Sequence, residues 1–540
     1  MAGPPAAREV KIYDTTLRDG AQMEGISFSV EDKLLIARHL DALGVDYIEG
    51  GWPGSNPKDA EFFERVKSLQ LSKATITAFC STRKAELDAS DDPNLLAVIN
   101  SGVKAAAIFG KTWDFHVIHA LRTTLDENLR MIEESVRFLK GHGIEVIYDA
   151  EHFFDGYKAN RDYTMKTLAA AKEAGADVIV LCDTNGGTLP MEVGSIFQDV
   201  VATLNCPVGM HAHNDSGVAV ANTLIAVQLG ATHVQGTING YGERCGNADL
   251  CSVIPSLKLK MGIDCVTDEQ LAELTSISRL VDETANLRPN LYRPFVGRSA
   301  FTHKGGIHVS ALMRHPETYE HTKPELVGNS RRVVISELAG ASNVLYKAQE
   351  FSIPVERSST GTKAIINMVK ELEYQGYQFE GAEASFELLL RRAMEMHKSL
   401  FELEGFRLIV EKRESNGQPV AEASIKLRVG DRVLHTVSEG NGPVNALDGA
   451  LRKALEDVYP ELKKIRLTDY KVRVIDEASG TSAKVRVLIE SANDHRTWGT
   501  VGVSTNIIEA SWRALVDSIE YGLLYASVPS DLEPPSVRSM

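Results

Sequence analysis

The stretch Val208-Gly-Met-His-Ala-His-Asn-Asp215 combines an apolar start with two histidines that stand two residues apart. The start, Val208–Met210, predicts a short buried strand that carries the histidines at its end. Side chains at positions i and i+2 of a strand point to the same face. Two imidazoles on one face supply half of a divalent-metal site, which then needs oxygen ligands from elsewhere. Two other segments offer them, Asp14-Thr-Thr-Leu-Arg-Asp-Gly20 and Gly240-Tyr-Gly-Glu-Arg-Cys-Gly-Asn247.

Short apolar runs alternate with amphipathic segments through the first half of the chain. The predicted strands are Val10–Tyr13, Tyr47–Gly50, Thr75–Phe79, Ala105–Phe109, Glu145–Tyr148, Val178–Leu181, Val208–His211 and His233–Thr237. Predicted helices between them include Val30–Leu43, Asp126–Lys140, Tyr163–Ala174, Met191–Leu204 and Val218–Leu229. Eight strand–helix units in roughly 250 residues predict an α/β fold, the (β/α)8 TIM barrel. A doubly wound open sheet is the alternative, but no GxGxxG motif follows the first strand.

Polar residues cluster just after the predicted strands. The clusters are Arg18 and Asp19, Glu151 and His152, Asp183 and Thr184, His211 and His213, and Glu243–Asn247. In a TIM barrel the loops that follow the strands meet at one end, where the chemistry takes place. We therefore predict that these clusters form one site.

The regular alternation stops near Cys265. Residues 266–405 are predicted to form a helical subdomain, with helices at Asp268–Thr284, Gly361–Gln375 and Glu383–Phe401. Residues 8–265 are accordingly predicted to form the catalytic barrel, and residues 406–530 a small α+β C-terminal domain. A proline-marked extended crossing from Leu287 to Pro294 interrupts the helical region.

The C-terminal domain contains an internal repeat. Thr436-Val437, followed by Asn441–Leu451, matches Thr500-Val501, followed by Thr505–Leu515. The offset between the copies is 500 − 436 = 64 residues. Each copy is predicted to contain strands, a turn and a helix, and neither has a cluster of acids, bases or metal ligands. This pattern favours a regulatory domain that packs or senses a ligand.

Composition excludes several functional classes. The net charge of −15 over 540 residues argues against a nucleic-acid surface, which needs a basic face. No apolar run has the length of a signal-peptide core or a membrane span. The six cysteines all lie in the first half of the chain and include no CxxC pair, which predicts reduced, mostly buried thiols in a cytoplasmic protein.

The three polar motifs together resemble those of the barrel metalloenzymes that condense acetyl-CoA with 2-oxo acids. These are the 2-isopropylmalate, homocitrate and citramalate synthases. The motifs are Asp14–Gly20, His211-x-His213 and Gly242-Glu-Arg-x-Gly-Asn247, and the resemblance covers essentially the whole chain. Lys111-Thr-Trp-Asp-Phe-His116 and Gly381–Leu389 are most similar to the citramalate synthase branch.

The resemblance implies a role for each matching residue. The implied ligands of one divalent ion (Mg²⁺, Mn²⁺ or Zn²⁺) are Asp19, His211, His213 and Asn247. The implied catalytic groups are Arg18, Glu151, His308 and Tyr319, with Arg18, Asp19 and Thr184 binding the 2-oxo acid. The residues implied on the acetyl-CoA side are Gly242, Glu243, Arg244 and Asn247. His308 and Tyr319 are expected to reach the barrel of a neighbouring subunit.

Four residues keep a second interpretation or have no assigned role. Asn247 could instead cap the helix that follows it, with Asp249 in the first turn. We expect Cys245 to pack against its neighbours. We expect His116 and His303 to form hydrogen bonds or to lie exposed at the surface.

The implied reaction is the condensation of acetyl-CoA with pyruvate to citramalate, in isoleucine biosynthesis. The nearest competing reaction is 2-isopropylmalate synthesis from 2-oxoisovalerate, and Phe109, Trp113 and Tyr148 are bulky residues that could restrict the pocket to pyruvate. A metal-dependent carbon–carbon lyase and a non-catalytic sensor are two more distant functions that parts of the chain would fit.

A homodimer with a branched-chain amino-acid effector, such as isoleucine, is also expected. Glu439-Gly-Asn-Gly-Pro443 and Val503-Ser-Thr-Asn506 are the turns predicted to contact the effector, although both also fit ordinary strand-to-helix turns.

Overall fold

A computed structural model describes residues 9–335, 341–355, 360–412, 415, 418–475 and 477–526. The predicted domain limits at residues 8 and 530 lie outside these ranges. The chain divides into two compact units. The first contains the residues up to Phe301 together with Thr322–Ser330, and the second contains Thr302–His321 and the residues from Arg331 onward. The domain ranges 8–265, 266–405 and 406–530 stay predictions.

The first unit is built on a closed barrel of eight parallel strands in sequential order. The strands are β1 Lys11–Asp14, β2 Tyr47–Gly51, β3 Thr75–Ser81, β4 Ala105–Lys111, β5 Glu145–Glu151, β6 Val178–Asp183, β7 Val208–Ala212 and β8 His233–Gly236. β8 pairs with β1, with Lys11 opposite His233, so the sheet has no free edge. The predicted TIM barrel is confirmed, and the open-sheet alternative is wrong.

Helices surround the barrel. They are α1 Val30–Leu43, α2 Pro57–Val66, α3 Pro93–Ser101, α4 Asp114–His116, α5 Leu125–Gly141, α6 Phe153–Glu173, α7 Pro190–Leu204, α8 Ala219–Leu229, α9 Leu250–Pro255, α10 Asp268–Ala272 and α11 Leu274–Thr284. Local sequence sets their ends: α1 begins with a reciprocal capping box between Ser29 and Asp32, and it ends at Gly44 with φ +86°. The main core lies between these helices and the strands.

A separate cluster of side chains fills the barrel interior. Its buried members are Tyr13, Tyr47, Phe79, Ala105, Ala107, Ile147, Val180 and Cys182. They occupy alternate positions of their strands, as the two-residue period of a strand requires. Several strands also extend beyond their predicted ends, and β5 runs to Glu151 instead of Tyr148. Polar residues can continue this strand because every second side chain points into the barrel interior, toward the cavity.

The second unit begins with a small helical part. Its elements are β9 Thr302–His303, α12 Gly306–Leu312, β10 Arg332–Val333, α13 Ala341–Glu350, α14 Thr360–Tyr374 and α15 Glu383–Ala393. The predicted extension of the last helix to Phe401 is wrong. The chain leaves the helix at Glu395, which has φ +56°. His397 and Ser399 then bond the buried carboxylate of Glu520.

The C-terminal part of this unit confirms the predicted repeat. The first copy is β11 Glu402–Glu411, β12 Val420–Val429, β13 Arg432–Gly440 and α16 Pro443–Leu455. The second copy is β14 Arg466–Val474, β15 Val485–Ala492, β16 Thr497–Ser504 and α17 Ile507–Leu524.

Individual hydrogen bonds and a β-bulge also recur in both copies, 64 residues apart. Thr436 Oγ1 donates to the Ala450 carbonyl at 2.7 Å, and Thr500 Oγ1 donates to that of Ala514 at 2.8 Å. Both first strands also carry a bulge, beginning at Leu403 in one copy and 64 residues later in the other. The two copies therefore share their packing as well as their topology.

None of the helices that the structure describes is long and apolar enough to span a membrane. All six cysteines are free, and four are buried, as predicted: Cys80, Cys182, Cys251 and Cys265.

Candidate metal centre and active site

Three predicted ligands meet at the carboxyl end of the barrel. Asp19 follows β1, His211 lies near the end of β7, and His213 follows it. Asp19 Oδ2 lies 3.6 Å from His211 Nε2 and 3.7 Å from His213 Nε2, and all three side chains are buried. Donors that share one ion at bonds of about 2.1 Å lie roughly 3–3.5 Å apart. The observed spacing is close to this value, so the three atoms can bind one ion with a small closing movement.

The protonation states of the three groups suit metal binding. Burial alone would raise the pKa of Asp19, but the Arg18 guanidinium and the two imidazoles lower it below its usual value. Burial lowers the pKa of His211 to about 3, with a further contribution from His213, and burial also lowers the pKa of His213. A carboxylate and two neutral imidazoles are the forms that bind cations.

Unsatisfied atoms beside these groups support the same interpretation. Asp19 Oδ1, His213 Nδ1 and Asn247 Oδ1 are buried and have no hydrogen-bond partner within the described ranges. Buried polar atoms are normally paired, and each exception needs an explanation. The unpaired oxygen belongs to the Asp19 carboxylate that lies beside both Nε2 atoms, and this arrangement fits a divalent ion such as Mg²⁺, Mn²⁺ or Zn²⁺. No other cluster of this kind occurs among the described residues.

Asn247 does not cap the helix that follows it, so that alternative is wrong. Asp249 is the N-cap of α9, and its carboxylate accepts from the Cys251 amide. Asn247 instead forms an isolated β-bridge with His213. Its Nδ2 donates to the Tyr241 carbonyl at 3.0 Å. Its amide oxygen is buried and has no hydrogen-bond partner among the described residues.

Arg18 is held rigidly beside the metal site. Its Nε donates to Glu49 Oε2 at 2.5 Å, and its guanidinium lies 3.8 Å from the centre of the Phe79 ring. Tyr13 donates to the other oxygen of Glu49 at 2.8 Å. Burial raises the pKa of Glu49, but Arg18 opposes this shift. The pairing fixes the guanidinium fork in one orientation.

Most of the predicted site residues line a single cavity of about 430 Å³. The predicted residues that line it are Arg18, Asp19, Glu151, Thr184, His211, His213 and Glu243. Sequence analysis missed Trp52, Phe79 and Asp149, which line the same cavity, and also Glu49. Three of these residues, Glu49, Phe79 and Asp149, occupy inward positions of strands whose sequences are mainly apolar. The only sequence signal that could have identified them as site residues was a polar or aromatic side chain on the inward face near the strand end.

Thr184 presents its hydroxyl group to this cavity, and the hydroxyl oxygen already accepts a hydrogen bond. The oxygen accepts a hydrogen bond from the His152 amide at 2.9 Å. His152 adopts the left-handed conformation, with φ +56°, which places its amide there. The hydroxyl hydrogen of Thr184 is thereby left to donate to a bound anion.

Glu151 is ion-paired with Lys111. The two residues lie opposite each other on β5 and β4, and the pairing of these strands sets the contact. Lys111 lies in the segment that resembles the citramalate synthase branch, but its pairing with Glu151 depends on strand register and could not be predicted.

The glycine-rich loop after β8 packs closely against the metal site. A Cβ on Gly242, which has φ +148°, would lie 2.1 Å from Asn247 Nδ2 and 3.2 Å from Asp19 Oδ1, so glycine is required there. Arg244 is engaged with the Asp215 carboxylate and donates to the Thr184 carbonyl at 2.6 Å. The Cys245 thiol is exposed, so its predicted packing is wrong. Arg244, the preceding residue, adopts the left-handed conformation with φ +56°.

His308 and Tyr319 belong to the second unit. Their rings stack with centres 4.0 Å apart and planes 21° apart. His303 is buried and bonds Glu320 at 3.3 Å, which confirms a hydrogen-bonding role. His116 belongs to the first unit, where it stacks on Trp113 and contacts His152.

The fold and the site define a closed-barrel protein with a buried Asp–His–His group that could hold a metal ion and an arginine beside it. Comparison with family profiles agrees with this class. Residues 9–281 match the HMGL-like family. Residues 295–377 match the homocitrate synthase post-HMGL domain-like family, and residues 380–523 match the LeuA allosteric (dimerisation) domain.

Similarity to curated proteins narrows the family further. The (R)-citramalate synthase of Geobacter sulfurreducens is 58% identical over 95% of this chain and 97% of its own length. That of Synechocystis is 55% identical, over 95% and 96%. A probable 2-isopropylmalate synthase of Methanopyrus kandleri is 34% identical, over 94% and 97%. The chain belongs to the (R)-citramalate synthase family.

Proposed function

We propose that this enzyme condenses acetyl-CoA with pyruvate and hydrolyses the resulting thioester, giving citramalate and CoA. The observation that carries the proposal is the single cavity in which Arg18, Thr184 and the Asp19–His211–His213 group converge. A 2-oxo acid offers a ketone oxygen and a carboxylate, and these groups match the donors that the cavity presents.

The ion is proposed to be held by Asp19, His211, His213 and Asn247. When bound, a divalent ion polarises the ketone of a chelated 2-oxo acid. We assign to Arg18 the donation of a hydrogen bond to the ketone oxygen as negative charge develops on it. Fixed donors of this kind contribute most in the transition state, because their orientation needs no rearrangement. Thr184 donates to the carboxylate.

The condensation requires removal of a proton from the methyl group of acetyl-CoA. The carbanion then forms a carbon–carbon bond to the ketone carbon, and the ketone oxygen takes up a proton. Water finally cleaves the thioester and releases the thiol of CoA. We assign the proton transfers to Glu151 and, from a neighbouring subunit, to His308 and Tyr319. We assign the acetyl-CoA side to Gly242, Glu243, Arg244 and Asn247.

Three aromatic rings support pyruvate as the 2-oxo acid. Phe79 and Phe109 stack at 5.2 Å, and Trp52 lies edge-on to them at 5.7 and 5.8 Å. All three line the cavity, in contrast to Trp113 and Tyr148. Tyr148 lies in the core between strands and helices. Of the bulky residues predicted to restrict the pocket, Phe109 alone is among those that line the cavity. We propose that these rings narrow the part of the cavity that would otherwise accept the isopropyl group of 2-oxoisovalerate.

Replacing Phe109 by alanine is expected to relax the preference for pyruvate. A pocket distinguishes small apolar groups by about 1–3 kcal/mol, so the ratio of kcat/KM for pyruvate over 2-oxoisovalerate should fall by roughly 10–100-fold. The measurement is thiol release from acetyl-CoA with a panel of 2-oxo acids. Trp113→Ala is the matched control, because its ring lies outside the cavity. Wild-type enzyme that prefers 2-oxoisovalerate would overturn the assignment of pyruvate.

The similarity to curated relatives favours the same substrate. Five (R)-citramalate synthases are 49–58% identical to this chain. Two isopropylmalate synthases and a further (R)-citramalate synthase, that of Methanocaldococcus jannaschii, are 32–34% identical. The match to the LeuA domain counts against a simple carbon–carbon lyase, and the metal-binding group counts against a purely sensory protein. The six free thiols suit a reducing, cytoplasmic compartment.

The LeuA match indicates a dimer with effector regulation. We propose a homodimer whose effector is isoleucine, the branched-chain amino acid that citramalate leads to. The turns at Glu439–Pro443 and Val503–Asn506 are proposed to contact it. Each turn leads directly into a helix, α16 or α17, in its own copy of the repeat.

Replacing Gly442 by leucine should remove the response to isoleucine and keep basal activity. Gly442 is extended, and a Cβ there would meet no atom within 4 Å, so the fold accepts a side chain. A leucine would occupy the space that the effector needs. The measurement is inhibition by isoleucine, leucine and valine at millimolar concentration. Wild-type enzyme that responds to none of them would refute effector binding by these amino acids.

A further inference from the structure

We propose that Gln235 is a positioning residue that fixes which nitrogen of His211 faces the metal site. The inference rests on the metal site of the proposed function and extends it. His211 and Gln235 lie opposite each other on β7 and β8. His211 Nδ1 lies 2.9 Å from Gln235 Oε1, and Gln235 is fully buried. A carboxamide oxygen only accepts hydrogen bonds, so Nδ1 must carry the hydrogen.

The orientation of the Gln235 amide is itself fixed from a third strand. Gln235 Nε2 donates to Asp149 Oδ1 on β5 at 3.0 Å. Either protonation state of this carboxyl leaves one oxygen able to accept the bond. In the observed orientation the amide nitrogen donates to Asp149, so the amide oxygen faces His211. The series Asp149–Gln235–His211 thus crosses the barrel interior and links three strands.

The consequence is a defined chemical state of the metal ligand. With the hydrogen on Nδ1, the lone pair of His211 lies on Nε2, which is the atom 3.6 Å from Asp19. If the amide rotated, its NH₂ group would face Nδ1, and the hydrogen of a neutral ring would move to Nε2 and block it. His213 lacks such a partner: its Nδ1 is buried and makes no hydrogen bond within the described ranges. Of the two histidines, only His211 therefore has its tautomer set by a hydrogen-bond partner among the described residues.

The test is calorimetric titration of Mn²⁺ into metal-free, full-length protein. Loss of a hydrogen-bond partner of a metal-binding histidine typically weakens metal binding by about 10–100-fold, and we expect this for Gln235→Leu. Gln235→Glu restores an acceptor for Nδ1 and should bind Mn²⁺ with close to wild-type affinity. His233→Leu removes a buried polar side chain from the same strand, away from the ligands, and should change the affinity by no more than about twofold.

The outcomes separate this inference from the proposed function. Gln235→Leu protein that binds Mn²⁺ as tightly as wild type would overturn the inference. Equal loss in Gln235→Glu and Gln235→Leu would also overturn it, because packing and not the acceptor would then explain the effect. Wild-type protein that binds no divalent ion would instead refute the metal site. Thermal unfolding of each variant verifies that it is folded.

Discussion

Replacing His211 by alanine is expected to lower kcat by at least about 10³-fold, because a metal ion supplies several kcal/mol of transition-state stabilisation. Asp19→Ala should have the same effect. Each substitution removes one of three buried donors that lie within 4.8 Å of one another, and two donors do not make a comparable site. The fold should persist, since these side chains contribute to the cavity wall and not to the apolar core.

Chelation provides an independent form of the same experiment. Wild-type enzyme stripped by a strong chelator should lose activity and regain it on addition of Mg²⁺, Mn²⁺ or Zn²⁺, whereas His211→Ala should stay inactive at every concentration. His142→Ala is a suitable control, because this exposed histidine at the end of α5 bonds only the carbonyl of its own helix. Full activity of stripped wild-type protein would contradict the role of the Asp–His–His group.

Arg18→Lys is expected to reduce kcat by about 10²–10³-fold with little change in the KM for pyruvate. The guanidinium bonds Glu49 through Nε and lies over Phe79, so its outer nitrogens have a fixed direction. A lysine ammonium can pair with Glu49 but cannot also present a second donor in the same plane. Its positive charge remains, so binding of the anionic substrate is largely kept.

Steady-state kinetics with varied pyruvate separate the two parameters. Arg293→Lys is the matched control, because Arg293 also pairs with a buried carboxylate, Asp282, but does not line the cavity. Its kcat should stay unchanged even if its stability falls. A large rise in KM at normal kcat for Arg18→Lys would show that Arg18 anchors the substrate and does not stabilise the transition state.

Much of this site could be predicted because its ligands lie in short motifs at strand ends. The two-residue period already placed His211 and His213 on one face. Applied to Glu145–Glu151, the same period puts Asp149 on the face of Glu151 and Tyr148 on the opposite face. Because the predicted strand ends at Tyr148, Asp149 is not predicted to line the cavity, and Tyr148 is wrongly predicted to restrict the pocket. Polar residues at the end of an apolar run usually predict a loop, but here the strand continues through them to Glu151.

Contacts between strands could not be predicted, because they depend on register. His211 faces Gln235, and Lys111 faces Glu151, only because eight strands close with one particular stagger. A shift of one residue in any strand would replace these pairs. The prediction that Cys245 packs was wrong for a different reason. Cys245 is exposed and follows Arg244, whose positive φ could not be inferred from residue type alone.

The most direct test of metal-dependent condensation is product analysis with isotopically labelled pyruvate and acetyl-CoA. Mass spectrometry should detect labelled citramalate, with one CoA thiol released for each molecule formed. Metal-stripped enzyme should form neither product, and restored enzyme should form both. Thiol release without citramalate, or citramalate formation by the stripped enzyme, would contradict the account.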